Sequence, residues 1–370
     1  MKKLCANLLL LLAAVLLAYG VLEAAFRIAM PHLPRAVFNN QGRELRVLGQ
    51  TSKAGLLPRE GYIAILGDSY GVGQGDWFAA NGYDLNSRYQ AAHLLRDATG
   101  RDVLALARAG VGSYDGAAIF AVNAFRFLRA SGFDLPAPKT LVAYFYEGND
   151  IGDNLGFLRR RFNPLHKPED VWNDAVFDEF DREMDAAHCQ GGLTRLQDAF
   201  YAANAVSRTI EGLLYNVRGK SPVPPGNLRS ALIAGRETPL PDTMETDLTT
   251  LSEDDVRLGV RVFQRSLRRV VRVWPDAERF VVYIPSPLSL YVLSGDAGRT
   301  QREASLRIET LVREAALAEG WRVIDCRSDL EAAAREEFAH GPLDVNHLNR
   351  EGYGALAGAL ARALSAPPAP

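Results

Sequence analysis

Apolar side chains fall into three patterns along the chain. The first is a single long block. After Met1-Lys2-Lys3, residues 4–22 carry one clearly polar side chain, Asn7, and residues 21–30 remain helix-compatible beyond Glu23. A bilayer span needs about 20 apolar residues. The block therefore reads as an uncleaved signal anchor over residues 1–30, in preference to a cleaved signal peptide with Ala18-Tyr19-Gly20 as its small-x-small site. Lys2 and Lys3 hold the start on the inner side, so either way residues 31–370 lie across the membrane. The expected location is the cell membrane, single-pass with an extracytoplasmic (periplasmic) domain; the alternative is a secreted or periplasmic protein.

The second pattern is a set of short, unbroken apolar runs, Tyr62–Leu66, Val103–Leu106, Thr140–Phe145 and Phe280–Ile284, with Arg322-Val323-Ile324-Asp325 read as a fifth strand. Runs without polar alternation suit strands covered on both faces, as in a parallel sheet. The third is helical periodicity in the intervals, at Asn86–Thr99, Gly116–Ala130, Ser252–Arg272, Arg302–Glu319 and Glu351–Leu364. Gly100, Gly132 and Gly320 act as stops, Ser252 as an N-cap backed by Glu253, Asp254 and Asp255, and Asn349 as a cap for the last helix. Strand–helix alternation of this kind predicts a parallel α/β fold with right-handed crossovers.

Two stretches break the alternation. Residues 31–60, with Pro31, Pro34 and Pro58, read as a linker. Residues 155–251 combine clustered prolines, the basic run Arg159–Arg161 and helical pieces near 191–216, and read as an insertion that caps or faces substrate. The domain proper then covers 61–364, with 365–370 as a tail.

Composition narrows this picture only by exclusion. Apolar residues make 48% of the 370 and charged residues 23%, so disordered, collagenous and disulfide-scaffold classes are out. Lys plus Arg is 42 and Asp plus Glu is 44, a net charge of −2 that gives no electrostatic support to nucleic-acid binding. Of three cysteines, Cys5 lies in the apolar block. Cys189 and Cys326 are left either to pair in an oxidising compartment or to stay as two buried thiols. No Cys/His grouping has zinc-ligand spacing, and neither metal nor cofactor is expected.

The chemistry lies in the segments immediately after the strands, since open parallel sheets bind ligands beyond their carboxyl ends. Those segments are Gly67-Asp68-Ser69-Tyr70-Gly71, Ala109-Gly110-Val111-Gly112-Ser113, Tyr146-Glu147-Gly148-Asn149-Asp150 and, ahead of the last helix, Asp344-Val345-Asn346-His347. A serine hydroxyl needs a base to become a nucleophile, and an imidazole, which titrates near neutrality, supplies one. An acid three residues away fixes its tautomer, and attack on an ester generates an oxyanion that needs donors.

This order of blocks resembles the SGNH (GDSL-type) hydrolase superfamily. The resemblance spans about residues 60–364, interrupted by 155–251, and implies a three-layer α/β/α sandwich with a parallel five-stranded, flavodoxin-like sheet. It implies Ser69 as nucleophile, His347 as base and Asp344 as acid. The implied oxyanion hole comprises the Ser69 and Gly112 backbone N–H groups and the Asn149 side chain, with Gly110 in reserve. Two positions depart from the pattern. Glu147 stands where the first glycine of the third block is usual, which would alter that loop or bring a carboxylate to the pocket. Ala107 replaces the usual Asn of the second block.

The implied activity is a serine esterase or deacylase working through an acyl-enzyme on acyl, above all acetyl, esters of a carbohydrate or envelope glycan. Its partners would be an acylated carbohydrate or small ester, with the membrane contacted through the N-terminal helix. An O-acyltransferase on the same Ser-His-Asp set and a catalytically idle envelope scaffold are the alternatives. Gly67-x-Ser69-x-Gly71 also fits an α/β-hydrolase elbow, but several strands normally precede that serine. Gly71–Gly75 lacks the Lys-Ser/Thr of a phosphate loop. Of the other histidines, His93 and His340 are expected on helix surfaces, His32 and His166 in linkers.

Overall fold

The computed structural model describes residues 2–40, 43–80, 86, 88–188, 222–244, 247–293 and 296–365. Strands β1 (Ile63–Gly67), β2 (Val103–Ala107), β3 (Thr140–Tyr146), β6 (Glu278–Ile284) and β7 (Arg322–Ile324) form one sheet in the order β2-β1-β3-β6-β7, every neighbouring pair parallel. Every residue of β1, β2 and β3 is buried, which is why they carry no polar alternation.

The pleat sends alternate residues into two cores. Ala64, Leu66, Leu104, Leu141, Ala143 and Phe145 face one, against helices α3 (Ala121–Ala130), α4 (Asp150–Phe157), α6 (Glu253–Val273) and α7 (Asp296–Ala318). Ile63, Ile65, Val142, Tyr144, Val282 and Ile284 face the other, against α2 (Ala91–Thr99), α8 (Arg327–Glu336) and α9 (Arg350–Ser365). The result is a three-layer α/β/α sandwich. The sheet order reverses between β1 and β3, the position at which doubly wound sheets open a crevice.

Helix α1 (Lys2–Ala29) contains a 24-residue segment, Lys3–Phe26, long and apolar enough to cross a membrane; a signal sequence has the same length and composition.

Several expectations change. Residues 31–60, expected as a linker, carry Phe38, Leu45, Val47 and Leu48 into the first core, and Gln50 pairs both backbone groups of Ala105 on the outer edge of β2 (2.8 and 2.9 Å). The helix expected over 86–99 begins at Ala91, and that expected from 302 begins at Asp296. Helix α8 was not foreseen. Gly116–Ala130 opens as a π-helical segment, Tyr114–Phe120.

Within the insertion, α5 (Asp174–His188) lies along α6. Asp174 takes Arg261, Arg265 and Arg268 at 2.5–2.7 Å, and Asp185 takes Arg269 at 2.8 Å. The insertion also holds a hairpin, β4 (Ser230–Ile233) and β5 (Arg236–Pro239), that turns through Ala234 and Gly235, both at positive φ. The helical pieces expected near 191–216 and Cys189 lie outside the described residues. Cys326 is a free, buried thiol donating to the Tyr283 carbonyl.

Candidate active site

The chain leaves β1 through Gly67, whose φ of +142° suits glycine alone; a Cβ there would also press on the Tyr144 Cβ at 3.2 Å. Asp68 then caps the short helical turn Ser69–Val72 by accepting from the Tyr70 N–H at 2.9 Å. This leaves the Ser69 hydroxyl at the carboxyl edge of the sheet, 6% exposed.

From 278 residues further along, the imidazole of His347 reaches it: Nε2 is 2.9 Å from Ser69 Oγ, and Nδ1 is 2.9 Å from both carboxylate oxygens of Asp344. A carboxylate can only accept, so the ring proton sits on Nδ1, and Nε2 is left to accept from the serine. Ser69, His347 and Asp344 thus come together as the block order implied.

Side chains that the sequence did not single out hold this loop. Asp76 Oδ1 accepts from the Leu343 and Asp344 N–H groups at 2.8 and 2.7 Å. The Tyr70 hydroxyl donates to the Asn346 carbonyl at 2.7 Å, its ring 5.2 Å from the imidazole and 4.2 Å from Tyr146. Asn349 caps α9 as expected and ties back to the Phe338 carbonyl at 2.7 Å. No motif marks Asp76 or Tyr70; the one sequence signal is their nearness to the Gly-Asp-Ser block.

Gly112 is buried against α4, while Gly110 is exposed, so Gly112 is the better placed of the two. The segment after it lies directly on the turn that carries Ser69: a Cβ on Gly116 would meet the Gly67 carbonyl oxygen at 2.3 Å. Among the described residues, no hydrogen bond uses the Ser69 or Gly112 backbone N–H. The half-buried Asn149 bonds the Asp68 carboxylate through its side chain. Burial pushes Asp68 above the usual carboxylate range; burial and the neighbouring Asp68 charge do the same to Asp150, which accepts from the Tyr146 N–H at 2.8 Å. A cavity of about 230 Å³ lies at the outer edge of β2, lined in part by Gln50, Gln74, Ala105, Ala107 and Arg108; Ser69, His347 and Asp344 do not line it.

Glu147 does not enter the pocket. Its carboxylate is 1% exposed and turned into the sheet's far half, where it accepts from Ser286 N–H (2.7 Å), Ser286 Oγ (2.9 Å), Ser305 Oγ (2.6 Å) and the Tyr283 hydroxyl. Two histidines depart from surface placement. His93 sits on α2 but is buried between Thr51 Oγ1 (2.7 Å) and Gln90 Oε1 (3.0 Å). His340 is fully buried beside Tyr291, and burial pushes its pKa down to about 3. Comparison with protein-family models, with curated proteins and with solved structures finds no match to the chain.

Proposed function

We propose that this protein is an extracytoplasmic serine esterase that removes acyl groups, acetyl in the first place, from a carbohydrate or envelope glycan. The observation that carries the proposal is the relay Asp344–His347–Ser69, each contact 2.9 Å, at the carboxyl edge of a parallel sheet. In this reading His347 Nε2 takes the Ser69 proton as Oγ attacks the ester carbonyl. The tetrahedral oxyanion is met by the Ser69 and Gly112 N–H groups and the second N–H of Asn149. His347 returns the proton to the leaving alcohol. Water, activated by the same imidazole, then releases the acid from the acyl-enzyme. The block order supports the reading through its resemblance to SGNH hydrolases. The apolar helix α1 supports work at a membrane, with Lys2 and Lys3 marking the inner side.

The test is hydrolysis of p-nitrophenyl acetate by the full chain in mild detergent, together with fluorophosphonate labelling. Ser69→Ala is expected to abolish both, and a Ser69→Ala variant as active as the parent would refute the proposal. Acylation of an added sugar at the expense of water would identify a transferase using the same site.

A further inference from the structure

We infer that Asn154, which no motif marks, is a positioning residue that sets the spacing between two of the oxyanion donors; this rests on the esterase reading. Asn154 lies on α4, which is wound directly from Asn149: the Asp153 N–H bonds the Asn149 carbonyl at 2.8 Å. Five residues of helix place the Asn154 side chain about 7.5 Å along the axis from that donor.

Asn154 is 0% exposed, and it clasps the loop that carries the other donor. Its Nδ2 donates to Ser113 Oγ at 2.8 Å, and its Oδ1 accepts from the Ser113 hydroxyl at 3.2 Å and from the Tyr114 N–H at 3.4 Å. Nδ2 also donates to the Gly259 carbonyl of α6 at 3.0 Å, so the clasp is itself braced against a core helix. Gly112 packs so tightly on it that a Cβ would lie 2.8 Å from Asn154 Oδ1.

One side chain therefore joins the segment presenting the Gly112 N–H to the helix that begins at Asn149. A tetrahedral oxygen needs donors at about 2.7–3.1 Å, and misplacement by about 1 Å is enough to lose about 100-fold in rate. A residue that only filled the core would not select for the transition state. A residue that spaces the donors lowers kcat and leaves ester binding alone.

The experiment compares Asn154→Ala and Ser113→Ala, which removes the clasp from its other end, in the full chain with p-nitrophenyl acetate. For Asn154→Ala, kcat is expected to fall about 100-fold with KM within about threefold of the parent. For Ser113→Ala, a fall of about tenfold is expected with a thermal midpoint lowered by only a few degrees, and the double variant should be no worse than Asn154→Ala, because the two act as one unit. If Asn154→Ala does not fold, Ser113→Ala decides. Parent-like kcat in these variants, or a loss of activity that only tracks the folded fraction, overturns the inference while an inactive Ser69→Ala leaves the esterase reading intact. Parent-like activity of Ser69→Ala overturns the esterase reading, and this inference with it.

Discussion

Replacing Glu147 by alanine separates a structural carboxylate from a chemical one. Four donors converge on it from β6, the segment after β6 and α7. Two have somewhere else to turn: Ser286 Oγ lies 3.0 Å from Ser289 Oγ, and the Tyr283 hydroxyl reaches the Ser305 carbonyl at 3.0 Å. The Ser286 N–H has none, and neither has the Ser305 hydroxyl, whose oxygen accepts from the Arg327 guanidinium at 2.7 Å but whose proton goes to Glu147. Each orphaned buried donor costs about 1–3 kcal/mol, and weakening of charge-assisted bonds to the other two adds to this. Release of the buried charge offsets part of this, leaving about 3–4 kcal/mol of destabilisation. At roughly 2–4 °C per kcal/mol for a domain of this size class, the melting midpoint should fall by about 10 °C. Burial and the Glu147 charge hold the Tyr283 hydroxyl well above its ordinary pKa, so it stays a donor at any working pH and the effect should not depend on buffer. The assay is thermal melting by circular dichroism in mild detergent, paired with p-nitrophenyl acetate turnover well below both midpoints. A midpoint within about 2 °C of the parent would refute the network's importance. A large loss of kcat at full folding would put Glu147 in the chemistry instead.

Two further outcomes concern buried groups. His340 is neutral in the fold, its pKa pushed down to about 3 by burial and then by the His347 charge, whereas the unfolded chain takes up the proton near 6.5. The unfolded state thus binds more protons between those values, so stability present above about pH 6.5 is lost on acidification at up to about 1.4 kcal/mol per pH unit. Urea midpoints between pH 7 and 4.5 should show that slope in the parent and a shallower one in His340→Gln; equal slopes would refute it. Phe38, fully buried and edge-on to Phe133 at 6.1 Å, should cost about 3–5 kcal/mol as Phe38→Ala, read as a lowered melting midpoint; no change would mean that residues 31–60 merely tether the domain.

The parts of the molecule that were legible share one cause. Strands covered on both faces leave unbroken apolar runs, so β1, β2 and β3 were visible to within a residue at most boundaries. Because a parallel sheet gathers the loops after its strands on one edge, Ser69 and His347 could be brought together from order alone. The hidden parts lacked a period. Phe38, Leu45, Val47 and Leu48 are scattered among polar residues and prolines and pack through irregular turns. Helix α8 sends chiefly Leu330 and Ala334 into the core, a stripe too narrow to stand out among its charges. Of the two outcomes open for Glu147, the pocket placement fails, because a carboxylate beside a candidate pocket gives no hint in one dimension that tyrosine and serine hydroxyls from β6 and α7 lie behind it. His93 is hidden in the same way, since a histidine can be internal when partners await both ring nitrogens; His340 is internal with one, the Tyr291 hydroxyl at Nδ1.

The contact between hydroxyl and imidazole joins residue 69 to residue 347 of a 370-residue chain. During synthesis the serine-bearing turn emerges hundreds of peptide bonds before its proton acceptor exists, and Asp76 waits equally long for the backbone it will anchor. A nascent or C-terminally clipped polypeptide that ends before residue 347 therefore lacks this contact altogether, and on the esterase reading its serine has no base.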